Sequence, residues 1–178
     1  MRNLTSALVA SAVLLLAACG GTATPAATAT PSPTPANQLT FGADLKTTNE
    51  VPAIANDEKN ASGTATITFD LTRDSSGKIT AAMAKFDFNV KDLMSSSKVT
   101  LAHIHGPAPA GQNAGVLVNT GLTADTGLPG PTVTFTKSGV TVDPALMQQI
   151  IDNPSNYYFN VHTSMNPGGV VRGQLAKK

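Results

Sequence analysis

Thr64-Ala65-Thr66-Ile67-Thr68-Phe69-Asp70-Leu71, followed by Asp74-Ser75-Ser76-Gly77 and then the long run from Ile79 to Val90, is the stretch that decides the fold class. Thr or Asp alternates with Ala, Ile, Phe and Leu at period two. This is the pattern of a strand with one face buried, since successive strand side chains point to opposite faces. Asp, Ser and Gly together make a turn, so the stretch predicts a β-hairpin. Further runs rich in Val, Thr or aromatic residues and bounded by Gly, Pro or Asn lie at 39–46, 98–105, 115–119, 132–136, 157–163 and 170–176. About eight short strands with regular turn punctuation predict an antiparallel β-sandwich or barrel. One helix interrupts them: Asp143 offers an N-cap, Pro144 suits the first helical position, Leu146/Ile150 and Met147/Ile151 make apolar pairs, and Asn153-Pro154 ends the run.

All three histidines fall in two of these strands. His103 and His105 stand in Leu101-Ala102-His103-Ile104-His105-Gly106-Pro107, and His162 stands in Asn160-Val161-His162-Thr163. Simple alternation puts His103 and His105 on one face with Val99 and Leu101, and Ala102 and Ile104 on the other. In the second strand Tyr157, Phe159 and Val161 share a parity, so Tyr158, Asn160 and His162 leave the apolar side. Two readings stand side by side. Neutral imidazoles from an H-x-H strand and a distant third His suit copper or zinc. Alternatively, the three rings hydrogen-bond the loop 106–113 and the turn 164–169 as structural groups. Met165 offers a soft axial ligand in the first reading. Arg172, with several guanidinium donors, is placed as a buried clamp that pairs with Glu50 or supports the His-bearing loop, and Asn160 is placed with them in the shell behind the imidazoles.

Four blocks of the chain together resemble the CHRD (chordin-type) domain: Glu50-Val51-Pro52, Gly63 to Phe69, Ala102 to Pro107, and Tyr158 to Gln174 with its Asn-Pro-Gly-Gly and Arg-Gly-Gln. The resemblance covers most of residues 38–178. It implies an extracytoplasmic all-β module, Greek-key-like and superoxide-dismutase-like in general architecture with one short helix, acting as a binding module whose ligand is unassigned. The family commonly carries a carboxylate two residues before the Arg. Here that position is Val170, so the chain departs from the family pattern at the point where that carboxylate would serve as ligand or ion-pair partner.

The N-terminus speaks to location. Arg2, an apolar stretch from Leu4 to Leu16, and Leu16-Ala17-Ala18-Cys19 describe a secretory signal peptide too short to span a bilayer, ending in a lipobox. Similarity to bacterial lipoproteins implies that Cys19, the one cysteine, carries the lipid and anchors the protein to a membrane of the cell envelope, facing the periplasm or the exterior. The expected organisation is thus a signal peptide at 1–18, the lipidated Cys and a Pro/Thr/Ala-rich tether at 19–37, and one folded domain at 38–178. The tether has no charged or large apolar side chain and does not build a core.

Removing residues 1–18 takes away Arg2 and no acid, leaving eleven basic and eleven acidic residues. That balance gives no electrostatic case for nucleic acid. The expected partners are the membrane through the lipid, a metal ion, or an extracellular protein or polymer. The chain lacks G-x-S-x-G, G-x-x-x-x-G-K and H-E-x-x-H, and Ser95-Ser96-Ser97-Lys98 matches S-x-x-K in a polar loop rather than on a helix, so no enzyme is expected. A protein-binding module should instead expose an apolar patch, with the loops 106–113 and 120–131 as its candidate positions.

Overall fold

The structure, a computed structural model, describes residues 37–178. The readings of residues 1–18 as a signal, Cys19 as a lipidation site and 20–36 as a tether lie outside the described residues.

The hairpin read from sequence is the structural spine. Strand β1 (Gln38–Lys46) pairs with β2 (Ser62–Arg73), and β2 with β3 (Ile79–Lys91), both antiparallel. Ala65, Ile67, Phe69 and Leu71 lie opposite Phe88, Phe86, Ala84 and Ala82, and all eight are buried. The intervening turn closes on Asp74, whose Oδ1 accepts from the Ser76 amide at 2.9 Å, the Ser76 hydroxyl at 2.6 Å and the Lys78 amide at 3.1 Å. Those bonds pull the Asp74 carboxyl below its ordinary range, the Ser76 side chain most of all.

The remaining strands are β4 (Lys98–His105), β5 (Val116–Asn119), β6 (Leu128–Pro129), β7 (Val133–Val142), β8 (Tyr158–Thr163), β9 (Val171–Gln174) and β10 (Ala176–Lys177). They join one antiparallel sheet in the order β5-β4-β8-β9-β1-β2-β3-β7, with β6 on β4 and β10 on β1. The sheet curls into a nearly closed barrel, an all-β fold with one helix. Its two halves meet in the core, where Phe159 of β8 stacks on Phe86 at 5.9 Å and tilts against Phe88 at 5.6 Å. Phe41 and Phe69 meet edge to face at 5.7 Å. Helix α1 (Pro144–Asp152) lies against β3 and buries Met147 and Ile150. Asp143 caps it, accepting from the Ala145 and Leu146 amides at 2.8 and 2.9 Å.

Three details depart from the sequence reading. Strand β7 runs on to Val142 rather than stopping near Thr136, because Gly139 adopts φ 75° in a bulge where the β3 pairing slips between Ala84 and Phe86. Ser-Gly reads as a stop in sequence, but here glycine takes the left-handed bulge position and the strand resumes. Leu128–Pro129, placed in a loop by sequence, pairs with β4. The pairing of β4 with β8 also slips between Val99 and Leu101. Val99 therefore joins the core with Ala102 and Ile104 instead of sharing the histidine face. Alternation fails there because one extra residue in a strand inverts the parity of everything before it.

Candidate metal centre

The face of β4 and β8 turned away from the aromatic core is polar and nevertheless buried. Cross-strand pairing sets His103 opposite Asn160, which in turn is opposite Arg172 of β9, and His105 opposite Tyr158. His162 is one step along, opposite Leu101. Loops close over this row, so that His103, His105 and His162 retain only 6–7% of their exposure. The structure thus brings the three imidazoles together, each offering a nitrogen within 4.8 Å of the others.

Two hydrogen bonds fix the chemistry of the rings. His105 Nδ1 lies 3.0 Å from the Ala114 carbonyl, and His162 Nδ1 lies 3.0 Å from the Pro167 carbonyl. A carbonyl only accepts, so both Nδ1 atoms carry the proton and both Nε2 atoms carry a lone pair. The loop-bracing role and the ligand role are therefore not rivals: the same rings use Nδ1 for the first and Nε2 for the second. His103 Nδ1 lies 3.3 Å from His162 Nε2, while His105 Nε2 is buried without any partner. Tetrahedral zinc with Zn–N bonds of about 2.05 Å separates its nitrogen ligands by about 3.3 Å, so the His103–His162 spacing is already that of a ligand pair.

Burial, and secondarily the other two imidazoles, pushes His103 down to about 4. Burial also lowers His105 and His162, against the opposing bonds from Ala114 and Pro167. All three are neutral at physiological pH, as ligation requires. His105 stacks on the Tyr158 ring at 4.9 Å and 2°, and the Arg172 guanidinium also sits over that ring, 4.6 Å from its centroid.

Arg172 braces the loop 106–113. Its Nε donates to the Asn49 carbonyl at 2.5 Å and its Nη1 to the Gln112 carbonyl and to Asn113 Oδ1, at 3.2 and 2.8 Å. Of the two roles read for Arg172, this is the loop-supporting one; Glu50 lies beyond the roughly 4 Å of a direct ion pair but still feels its charge. Among the described residues the one ion pair is Lys85–Asp87. Glu50 instead accepts from Asn160 Nδ2 at 3.4 Å, and its second oxygen has no partner. Glycine at 169 lets the turn press onto both: a Cβ there would lie 2.7 Å from the Asn160 amide and 3.0 Å from Glu50 Oε1. Met165 is 38% exposed on the turn beyond His162.

Burial raises the Glu50 carboxyl to about 7, with Arg172 and Asn160 only partly opposing it. A group whose folded value lies above its unfolded one adds stability that is full below about 4.5 and lost as pH rises through about 7. The Glu50→Gln protein should therefore keep a level melting temperature across neutral pH where the parent declines, which thermal melts at a series of pH values will check.

Sequence reasoning missed Glu58. It is fully buried, and its carboxylate accepts from the Thr163 hydroxyl at 2.6 Å, Asn166 Nδ2 at 2.7 Å and the Met94 amide at 3.3 Å. This knot holds the turn whose Pro167 carbonyl orients His162. No sequence signal marks it, because Glu58 and Thr163 are 105 residues apart.

A family model for the CHRD domain matches residues 41–175. The chain belongs to the CHRD family. The matched span runs from the first core residue of β1 to the end of β9 and takes in every residue of the histidine layer. No curated protein and no solved structure matched the chain. The CHRD domain's exposed large apolar residues are Val51, Met83, Val116, Leu117 and Met165. None of them lies in the loops 106–113 or 120–131, where Ala108 and Leu122 are buried.

Proposed function

We propose that this protein is a lipid-anchored CHRD module of the cell envelope that binds one copper or zinc ion through His103, His105 and His162. The observation that carries the reading is the pair of Nε2 lone pairs in a buried layer, one of them with no partner among the chain's own groups. Two acceptors facing one donor, His103 Nδ1, leave a deficit that a Lewis acid removes. A buried, unpaired imidazole nitrogen is costly otherwise. Carbonyl-held Nδ1 atoms are also the usual way ligand rings are oriented. The ion would keep an open fourth position, as in sites with three protein ligands.

The test is equilibrium dialysis of the purified mature chain against Cu(II) and Zn(II). Uptake of about one equivalent is expected; no uptake of either ion defeats the reading. Anchoring is tested separately. Changing Cys19→Ser should release the protein from the membrane fraction or leave it unprocessed, and unchanged detergent-phase partitioning would reject the anchor.

The other reading, a module that binds an extracellular protein or polymer, has Val116 and Leu117 on its side. Both are exposed on β5, at one end of the sheet order. Neither reading involves catalysis by the chain's own side chains.

A further inference from the structure

Three imidazoles make up the whole donor set of the histidine layer. Among the described residues no carboxylate or thiol joins the cluster, whose ring nitrogens lie within 4.8 Å of one another. Asn160 stands in the same row, but its amide is turned to Glu50, at 3.4 Å, and against the Gly169 turn. The Tyr158 hydroxyl is taken by Ala114, whose amide donates to it at 3.2 Å. Neither the groove along Asn49 and Glu50 nor the one beside helix α1 is lined by any of the three rings. An ion held here finds three neutral nitrogens and no fourth side chain to complete its shell.

Copper and zinc ions differ in what they need from such a shell. Zinc is almost always four-coordinate, with water completing a site of three protein ligands. Cu(II) prefers a tetragonal set of nitrogen and oxygen donors. Cu(I), a closed-shell monocation, is satisfied by three donors in a plane, and a planar shell spreads them wider than a tetrahedral one. Charge acts in the same direction. With neutral ligands the whole charge of the ion is buried, and the Born cost of burial rises with the square of that charge. Burial lowers His105 first of all, and the positive charge of Arg172 adds to that lowering. A field that turns away a proton at this ring opposes a divalent ion more strongly than a monovalent one.

Given that the three histidines form a metal site, we propose that the layer selects Cu(I), held by His103, His105 and His162 without a fourth ligand, over both Zn(II) and Cu(II). The three rings are buried to 6–7% exposure, so the water that Zn(II) or Cu(II) would bring costs the site more than the bare Cu(I) ion does.

Two measurements on the mature chain test the selection. Under anaerobic conditions with ascorbate, the chain should compete with bicinchoninate for Cu(I), and it should hold Cu(I) more tightly than it holds Zn(II) in competition with a pyridylazo-resorcinol dye. Cu(I) held about a hundredfold more tightly than Cu(II) raises the potential of the bound couple above that of the free ion by about 120 mV, at about 59 mV per tenfold, and voltammetry should show that rise. The chain carrying His103→Ala and His105→Ala serves as the blank. A bound couple at or below the free-ion potential, or Zn(II) held more tightly than Cu(I), would overturn the selection and leave the metal site standing. Failure to take up Cu(I), Cu(II) or Zn(II) would remove both.

Discussion

Replacing His103 and His105 together by Ala should abolish uptake of copper and zinc by the mature chain. The two rings supply His103 Nδ1, which lies 3.3 Å from His162 Nε2 and ligates as the tautomer protonated at its own Nε2, and the unpartnered His105 Nε2. Their loss leaves His162 alone, and a single imidazole does not hold a divalent ion against water at micromolar concentrations. The single change His105→Ala should already weaken uptake by about a hundredfold or more, since losing even a group behind a ligand costs metal sites about 10–100-fold. Thermal melts supply an independent reading. An ion at a hundredfold excess over its dissociation constant stabilises the folded state by about 2.7 kcal/mol, which for a domain of this size is roughly 10 °C. The parent should show that rise on adding metal and the double variant should not.

The pH dependence has a definite sign. Protonated imidazole cannot ligate, so uptake falls as pH falls. Burial holds all three rings below their ordinary range, with His103 down to about 4. Uptake should consequently survive through pH 6.5, where an exposed imidazole is half protonated, and fail only in more acidic solution. Uptake that is lost at the ordinary imidazole value would show that the layer opens to water. The metal-free protein should lose stability over the same acidic range, since the unfolded chain binds protons that the folded rings refuse.

The second large effect is expected at Glu58. Changing Glu58→Ala removes the acceptor shared by the Thr163 hydroxyl, the Asn166 amide and the Met94 backbone amide. Each donor left buried and unsatisfied costs about 1–3 kcal/mol. Even with partial relaxation the sum should be about 4 kcal/mol, a fall in melting temperature of roughly 10–15 °C at constant pH. The change should also weaken metal uptake, because Thr163 and Asn166 frame the turn that places the Pro167 carbonyl 3.0 Å from His162 Nδ1. A variant that melts near the parent temperature would show that the knot is replaced by water. A variant that loses stability but takes up metal with parental affinity would separate the knot from the site.

Strand periodicity and turn chemistry were enough to read the β2–β3 hairpin, the Asp143-capped helix and the polar parity of Tyr158, Asn160 and His162, because each is set by neighbours a few residues apart. The same local logic failed at Val99 and at Gly139. A bulge is decided by the strand across the ladder and not by the strand that carries it, so alternation within one segment cannot reveal it. The three histidines were visible as candidates, and the family blocks already tied their segments together. Their convergence, however, depends on β4 pairing with β8 across the sequence separation of 59 between His103 and His162. The tautomers depend on two carbonyls, of Ala114 and Pro167, that any residue type would supply, so no sequence pattern records them. Glu58 and the surroundings of Arg172 lie furthest from what sequence determines. A buried charge is defined by the groups that surround it or fail to, and those groups come together only when loops distant in the chain close over one face of the sheet.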